Sequence, residues 1–406
     1  MENLVARAAT GSSATSLPPP SQSKMQRTLS EQQNHDLLSN PFELRHGRRY
    51  LRDVPYPLPC DLAETQRQNL RTLLMISVFG GAVCSPKWDN EPPKRVLEVG
   101  CGSGYWSAMC HDHFAAKGFH DIEFVGMDIA PLAPNLNKQG VKWKFVQHDV
   151  RKTPWPFDDG EFDMVMMKDL SLLLTIGQTS EKILLDSIRL VREGVWDSDS
   201  ALRSLMPDTP PPPSKNLKVQ EIAEETATFA VGPGHPFVPA QNKFIHKASQ
   251  WITEALDRRK LHSIPCVRIA QVMLQETDLI EHGQRRVAIP LGELRWERKA
   301  SQQKRPLSNG HDSPMSTGSR DQGLKNGDYA LTPEQAALRQ TALMTFLQMI
   351  ESMEPILKEA SGKNAEEWSH WWANMMSSLL DPTKGGLTGE CLELGAWWGT
   401  KIAVEE

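Results

Sequence analysis

A glycine-rich turn between an apolar run and a helix constrains this chain more than any other feature. Residues 96–104 read Val-Leu-Glu-Val-Gly-Cys-Gly-Ser-Gly, and the pattern predicts a helix over residues 103–117. The glycines allow positive φ in the turn and leave no Cβ where the backbone approaches a nucleotide-like ligand. Asp128 ends the next apolar run, 24 residues beyond Gly104, where a carboxylate can accept hydrogen bonds from both ribose hydroxyls.

The residues around the turn restrict which ligand it can hold. A dinucleotide fingerprint would need glycine at position 105 or 107, where Tyr105 and Ser107 stand, so NAD is disfavoured. Glu98 precedes the glycines, and a carboxylate beneath the loop would repel a pyrophosphate. The turn therefore favours a cationic ligand without phosphate.

Apolar runs alternate with helical spacing along much of the chain. The expected strands are residues 95–99, 122–127, 141–146, 164–167 and 391–402. The expected helices are residues 103–117, 180–192, 243–261, 333–357 and 365–380. An alternating βαβα order predicts an α/β fold with a doubly wound parallel sheet. The last helix carries a stripe of Trp and Met from Trp368 to Met376, which indicates either core packing or the lining of an acceptor pocket.

Charge, hydropathy and cysteine usage restrict the compartments in which the protein is expected and the partners that it is expected to bind. The formal net charge is −5, so there is no evidence for a nucleic-acid partner. No run of 18 apolar residues occurs and the N-terminus has no apolar signal region, so we expect neither a membrane span nor a secretory signal. Six cysteines without a CxxC pair favour a reducing, cytoplasmic or nuclear compartment.

Two clusters of side chains have both a functional interpretation and an ordinary structural one. His111 and His113 lie two residues apart on a predicted helix and point to different faces, so we expect no metal site. A basic cluster is either a solvated face or a nuclear import signal. Its members are Arg295, Arg298, Lys299, Lys304 and Arg305.

The turn and the segments after it resemble the class I S-adenosylmethionine-dependent methyltransferases, whose first motif is an acidic residue followed by GxGxG. The resemblance implies that Asp128 binds the ribose, that Ile129 packs on adenine and that Asp149 receives the adenine amino group. It also implies that the strand over residues 162–169 ends facing donor and acceptor. The cofactor-binding residues expected for S-adenosylmethionine are Glu98, Gly100, Gly102, Gly104, Asp128, Ile129, Asp149, Val150 and Lys168.

The segment before the turn is similar to the lead-in of a fungal group, the methyltransferases related to the velvet-complex regulators of secondary metabolism. Residues 46–50, residues 56–59 and the pair Glu64 and Arg67 carry this likeness, whereas Cys60 stands where the group has Asn. The family resemblance implies a Rossmann-like sheet of seven strands, the last antiparallel, with helical cap insertions. Only Val195 and Trp196 are apolar between Gly194 and Asp197. We therefore expect either a truncated fifth strand, with the sheet edge beside the fourth strand poorly covered, or a coding sequence that has lost some residues here.

The resemblance and the composition together predict how the chain is divided. The expected segments are a disordered tail (1–40), an S-adenosylmethionine-binding core (41–200), a Pro-rich loop (201–240), the rest of the core with the acceptor cap (241–298), a disordered insertion (299–331), and a helical cap with a closing strand (332–406). The tail, loop and insertion are rich in Ser, Pro, Gly and Gln and poor in periodic apolar positions.

Two functions fit these observations. The first is methyl transfer from S-adenosylmethionine to a small-molecule or protein acceptor. Alignment and desolvation can carry most of such a reaction, so no catalytic residue is assigned. The second is a regulatory protein on the same fold, with little or no turnover, that acts through protein partners.

Overall fold

The computed structural model describes most of the chain between residues 35 and 402. The residues outside the description within that span are 90, 174, 176–182, 184–192, 206–209, 233, 276, 278, 298–330 and 381–385. The predicted tail, the helix predicted over residues 180–192 and the predicted insertion therefore lie wholly or mainly outside the described residues.

A parallel sheet forms the centre of the protein, after a small hairpin of β1 (Phe42–Arg45) and β2 (Arg48–Leu51). Its strands are β3 (Arg95–Val99), β4 (Glu123–Asp128), β5 (Lys142–Gln147), β6 (Met164–Lys168) and β7 (Glu193–Ser198). They lie in the order β5-β4-β3-β6-β7, and each neighbouring pair is parallel. This arrangement confirms the predicted α/β, Rossmann-like class.

The expectation of a truncated fifth strand is wrong. β7 has six residues, pairs parallel with β6 from Val165↔Glu193 to Lys168↔Trp196, and pairs antiparallel with a later strand on its other side. The prediction failed because it counted apolar residues only. Asp197 is 3% exposed within this strand and accepts hydrogen bonds from the Ser171 amide and hydroxyl, so a polar residue is accommodated in a buried strand.

The sheet is wider than the seven strands expected: ten strands pair among the described residues. The additional strands are β8 (Arg203–Leu205), β9 (Phe229–Ala230), β10 (Phe237–Pro239), β11 (Leu279–Pro290) and β12 (Glu390–Lys401). β12 lies antiparallel between β7 and β11. The predicted closing strand is thus present and antiparallel, while three short strands extend the sheet.

The helices cover the faces of this sheet. They are α1 (Leu62–Phe79), α2 (Tyr105–Ala115), α3 (Leu217–Glu225), α4 (Lys243–Asp257), α5 (Pro265–Gln275), α6 (Pro333–Ser352), α7 (Glu354–Ser361) and α8 (Ala365–Leu380). The single helix predicted over residues 333–357 is two helices that meet at Met353. Every described helix is too short or too polar to cross a membrane.

The segment predicted as a Pro-rich loop, residues 201–240, contains regular structure. Helix α3 and the strands β8, β9 and β10 all lie within it. The prolines at 210–213 precede Asn216, whose side chain caps α3 by accepting from the Val219 amide. Proline and glycine therefore separate these elements rather than abolish them.

Two apolar layers hold the sheet between the helices. The side chains of Val96, Phe124 and Met166 enter one core cluster, and those of Leu97, Val125 and Val165 enter another. Adjacent residues of a strand point to opposite faces, so both faces of the parallel strands are buried. Trp368 and Met375 of the aromatic stripe on α8 are buried in the first cluster, which supports core packing.

The hairpin is fastened to the start of α1. Arg48 donates to both carboxylate oxygens of Asp61 at 2.6 and 2.8 Å, and Arg49 donates from two nitrogens to the carbonyl of Cys60. Asp61 is also the N-cap of α1, where it accepts from the Glu64 amide at 3.1 Å. These bonds join the hairpin to the end of the segment from residue 52 to residue 61, which is called the lead-in from here on.

Candidate functional site

The glycine turn leaves β3 at its carboxyl end, next to the carboxyl end of β4. Gly100, Gly102 and Gly104 have φ values of 66°, 51° and 67°, the left-handed region that favours glycine. A Cβ on Gly100 would lie 2.7 Å from Leu170, whereas a Cβ on Gly102 would meet nothing nearer than the Gln68 side-chain oxygen at 3.9 Å. Gly102 thus faces open space, as a turn that cradles a ligand must.

Asp128 connects the turn to the end of β4. One of its carboxylate oxygens accepts from the Gly102 amide at 2.8 Å and the other accepts from the Ala130 amide at 3.0 Å. Burial raises the pKa of Asp128, and the hydrogen bonds from these amides oppose that rise. The carboxylate is therefore held at the mouth of the turn with lone pairs to spare for a further donor.

One cavity, the glycine-turn cavity, collects most of the predicted cofactor-binding residues. It lies between the lead-in, α1 and the carboxyl ends of the parallel strands. Seven of the nine predicted residues line it: Gly100, Gly102, Asp128, Ile129, Asp149, Val150 and Lys168. The other two do not line it. Gly104 lies at the start of α2, and Glu98 is buried beneath the turn.

Glu98 is 1% exposed and bonds to the protein itself. It accepts from the Ser107 hydroxyl at 2.7 Å and from the Ser107 amide at 3.2 Å. Burial raises the pKa of Glu98 to about 7, against the opposing effects of Ser107 and Lys168. In the structure this side chain ties β3 to the first turn of α2. The role of Glu98 in cofactor binding stays a prediction.

Asp149 lines the cavity just after β5 and is 1% exposed. The Arg151 guanidinium donates to both carboxylate oxygens of Asp149, at 2.8 and 2.9 Å. The backbone amide of Arg151 also donates to Asp149, at 3.0 Å. These three bonds fix the orientation of the buried Asp149 carboxylate.

A second charged group lies at the carboxyl end of β6. Asp169 accepts from Arg71 at 2.6 Å and from Lys168 at 2.9 Å, and its backbone has a left-handed φ of 58°. Burial alone would raise the pKa of Asp169, but Arg71 and Lys168 hold it below its usual range. Left-handed aspartate is uncommon and recurs where a site imposes it. Lys168 and Asp169 thus face the cavity as an ion pair.

The opposite wall of the cavity was not among the predicted cofactor-binding residues. Tyr56, Cys60, Glu64 and Gln68 line it from the lead-in and α1. Gln68 donates to the Tyr56 hydroxyl at 2.8 Å and to Glu64 at 3.2 Å. Burial raises the pKa of Cys60 to about 12, so this residue stays a neutral thiol. The pair Asp61 and Glu64, an acidic cap followed three residues later by Glu, was a helix-start signal that could have revealed α1.

Glu64 also joins the cavity to the C-terminal helices. It is 1% exposed, pairs with Arg67 at 2.6 Å and accepts from the Ser352 hydroxyl at 2.8 Å. Ser352 ends α6 and accepts from Arg48 at 3.2 Å. The hairpin, α1 and α6 therefore meet at one buried polar cluster beside the cavity.

No group of three or more His, Cys, Asp or Glu side chains within the described part of the chain is arranged to hold a metal ion. His111 has instead a contact of 3.2 Å with Asp112.

The glycine turn lies in a region that is similar to a known protein family. Residues 96–194 match the family described as "Methyltransferase domain". This part of the chain is a methyltransferase domain. The matched region of this methyltransferase domain begins in β3, includes the glycine turn, Asp128, Asp149 and the ion pair at the end of β6, and stops in β7.

Curated fungal proteins are similar to the methyltransferase domain. Methyltransferase str3 of Strobilurus tenacellus is 35% identical over 108 residues, 27% of this chain and 35% of that protein. Methyltransferase str2 of the same fungus is 29% identical over 150 residues, 36% and 48% of the two chains. Secondary metabolism regulator LAE1 of Cochliobolus heterostrophus is 24% identical over 133 residues, 32% and 41%. The matches cover less than half the length of each relative.

Proposed function

We propose that this protein transfers the methyl group of S-adenosylmethionine to an acceptor. The observation that carries the proposal is the shared position of the glycine turn, Asp128 and Asp149 around one cavity at the carboxyl ends of adjacent parallel strands. Ligands of doubly wound sheets bind at that edge.

The residues present fit this cofactor. A Cβ on Gly102 would enter open space, so the turn leaves room for a ligand next to its backbone. Asp128 has carboxylate lone pairs for the ribose hydroxyls, and Asp149 can accept from an adenine amino group. Ile129 and Val150 supply apolar surface for the adenine ring. The cavity wall holds carboxylates and a single lysine, which suits a cation better than a phosphate.

When bound, S-adenosylmethionine supplies an activated methyl carbon: an acceptor electron pair forms the new bond to it, and the breaking carbon–sulfur bond leaves its pair on sulfur as a neutral thioether. A neutral acceptor releases its proton to water. The chain's own residues position and desolvate the reactants. Lys168 and Asp169 line the cavity at the end of β6, where Arg71 and Lys168 both donate to Asp169.

Turnover tests the proposal directly. The full chain is incubated with S-adenosylmethionine labelled in the methyl group and with small-molecule or protein extracts. We expect label to appear in an extract component and S-adenosylhomocysteine to accumulate in step with it. Binding of S-adenosylmethionine without transfer to any extract would contradict the proposal and would favour a regulatory role.

A further inference from the structure

A groove lies along one edge of the sheet, beside β11. This edge groove has a volume of about 600 Å³. Four consecutive residues of β11, residues 283–286, line it, together with the end of α1, the segment before α3, α3 itself and the residues that follow β9. The residues that line the edge groove are different from those that line the glycine-turn cavity.

The edge of β11 that borders this groove is only partly paired. β9 pairs with Val287 and Ala288, and the Val231 amide donates to the Arg286 carbonyl at 2.9 Å. Beyond that bond, no described strand pairs with this edge of β11. The chain continues after Val231 as Gly232-Pro233-Gly234, and a proline has no backbone N–H with which to extend a ladder.

Gln284 presents its backbone to the open part of this edge. In an antiparallel sheet, the N–H and C=O groups of successive residues point alternately to the two neighbouring strands. The Arg286 carbonyl faces β9, so the N–H and C=O of Gln284, two residues earlier, face the same side. Gln284 is exposed and lines the groove. A strand in the groove can therefore exchange backbone hydrogen bonds with Gln284, as extended peptides do when they add to a sheet edge.

One face of the groove offers an apolar contact. Trp398 of β12 lies directly opposite Gly283, and its indole packs so closely over this glycine that a Cβ there would lie 2.1 Å from the ring. Trp398 is half-buried and lines the groove together with Phe79 and Val83. A side chain of an added strand that is level with Gly283 would therefore meet apolar surface.

Arg285 places a positive charge two residues from Gly283, on the same face of the strand. Its guanidinium donates to the carbonyl of Phe79, a partner without charge. The next residue, Arg286, is different, because it pairs with Glu393 of β12 at 2.6 Å. Arg285 is half-buried, and among the described residues no carboxylate pairs with it.

The acidic side chain of the groove has other partners. Asp89 is the one acidic residue in the described lining, and Lys117 and Lys218 approach it at 3.9 and 3.8 Å. The charge of Arg285 is therefore unmatched within the groove. A charge at a sheet edge opposes pairing with an arbitrary apolar strand and favours a strand with an opposite charge at the same level.

We propose that the edge groove binds an extended acidic segment of a partner protein, which adds as a strand to β11. The backbone of the segment pairs with Gln284. An apolar side chain packs on Trp398, and an acidic side chain two residues away pairs with Arg285. The groove suits a single strand better than a second copy of this chain, because the same edge of the copy would be recessed between α1 and the residues after β9 in the same way.

The partner segment and the methyl donor occupy separate places. Gln68 of the glycine-turn cavity and Phe79 of the edge groove both belong to α1, and at the rise of an α-helix they lie about 16 Å apart along its axis. Binding of a peptide in the groove should therefore leave the affinity for S-adenosylhomocysteine unchanged.

A selection from short random peptides displayed on phage tests the proposal on the full chain. We expect the recovered peptides to carry an acidic residue two positions from an apolar one. Synthetic versions are then measured by fluorescence anisotropy. Replacing the acid by its amide, or methylating the backbone nitrogen of the residue between the two, should weaken binding about tenfold or more.

Three variants assign the binding to the edge of β11. Gln284→Pro removes the outward N–H, a change that an edge strand tolerates, and should abolish peptide binding, whereas Gln284→Ala keeps the N–H and should bind as the wild type does. Arg285→Gln should weaken acidic peptides about tenfold and leave their amide forms unchanged. Thermal unfolding and S-adenosylhomocysteine binding establish that each variant folds. If Gln284→Pro does not fold, the N-methylated peptide makes the same test from the side of the ligand.

Several results would overturn the proposal. They are the recovery of no peptide above the background on a control protein, binding that is indifferent to the acidic residue or to the N-methyl group, and displacement of the peptides by S-adenosylhomocysteine. Self-association of the wild type in sedimentation, lost in Gln284→Pro and kept in Gln284→Ala, would assign the edge to a second copy of the chain and would also overturn it.

Discussion

The carboxylate of Asp128 accepts a hydrogen bond from the Gly102 amide at 2.8 Å. This bond joins the end of β4 to the middle of the glycine turn, so the group proposed to bind the ribose also holds the loop proposed to cradle the rest of the ligand. Asp128 and the glycine turn are therefore directly bonded parts of one site.

Asp128→Ala should weaken S-adenosylmethionine binding by about 1.5 to 3 kcal/mol, the scale of hydrogen bonds to a charged group. Asp163→Ala is the matched control, because Asp163 accepts from the Lys94 and Arg95 amides at the opposite end of β3. The control should lower stability and leave the affinity measured by calorimetry unchanged. Equal losses of affinity in the two variants would mean that Asp128 acts only through the fold.

Gly102→Val should abolish cofactor binding, since its branched side chain would enter the space that the turn leaves open. Gly140→Val carries a comparable backbone penalty, with φ of 84° and no atom near the added Cβ, but lies outside the cavity. Thermal unfolding first establishes that both variants fold, and calorimetry then compares their affinities. Normal binding by Gly102→Val would show that the turn does not surround the ligand.

Glu98 should make the protein less stable as the pH rises. Its folded pKa of about 7 lies above the ordinary value of 4.5, so the native state binds the proton more tightly than the unfolded chain does. The stabilisation is complete below pH 4.5 and is lost as the pH rises through 7, by about 3 kcal/mol in all.

Glu98→Gln removes this titration and keeps an acceptor for Ser107. Urea unfolding at pH 5 and pH 8 should therefore show a smaller loss of stability in the variant than in the wild type. A wild-type loss that the variant reproduces in full would assign the pH dependence to other groups, such as Asp199, whose pKa burial raises to about 7.

Arg71→Leu should destabilise the protein by about 3 kcal/mol, because it leaves the largely buried Asp169 with Lys168 as its one close cation among the described residues. The double variant Arg71→Leu with Asp169→Asn should recover part of that loss. Arg258→Leu breaks an exposed pair with Glu254 and should cost less than about 1 kcal/mol. If the double variant is as unstable as the sum of the single ones, Arg71 and Asp169 are not coupled.

The parts of the site that could be predicted are those with a local signature. The glycine turn and Asp128 follow from residue types at short spacing, and the structure places them where that spacing implies. β7 could not be predicted in this way, since the buried Asp197 depends on partners elsewhere in the chain, of which Ser171 is one.

β11 was missed for a similar reason. Arg286 lies within it and is 5% exposed, but its charge is satisfied by Glu393 of β12, more than 100 residues later. The wall formed by Tyr56 and Glu64 likewise depends on how the hairpin and α1 dock. A polar residue whose partner lies far along the chain resembles a loop residue in the sequence.

The central claim is that the glycine-turn cavity holds S-adenosylmethionine. Calorimetric titration of the full chain with S-adenosylmethionine, repeated with NAD, tests it most directly. We predict saturable binding of S-adenosylmethionine at one site per chain, unaffected by excess NAD. Absence of S-adenosylmethionine binding, or its displacement by NAD, would contradict the claim.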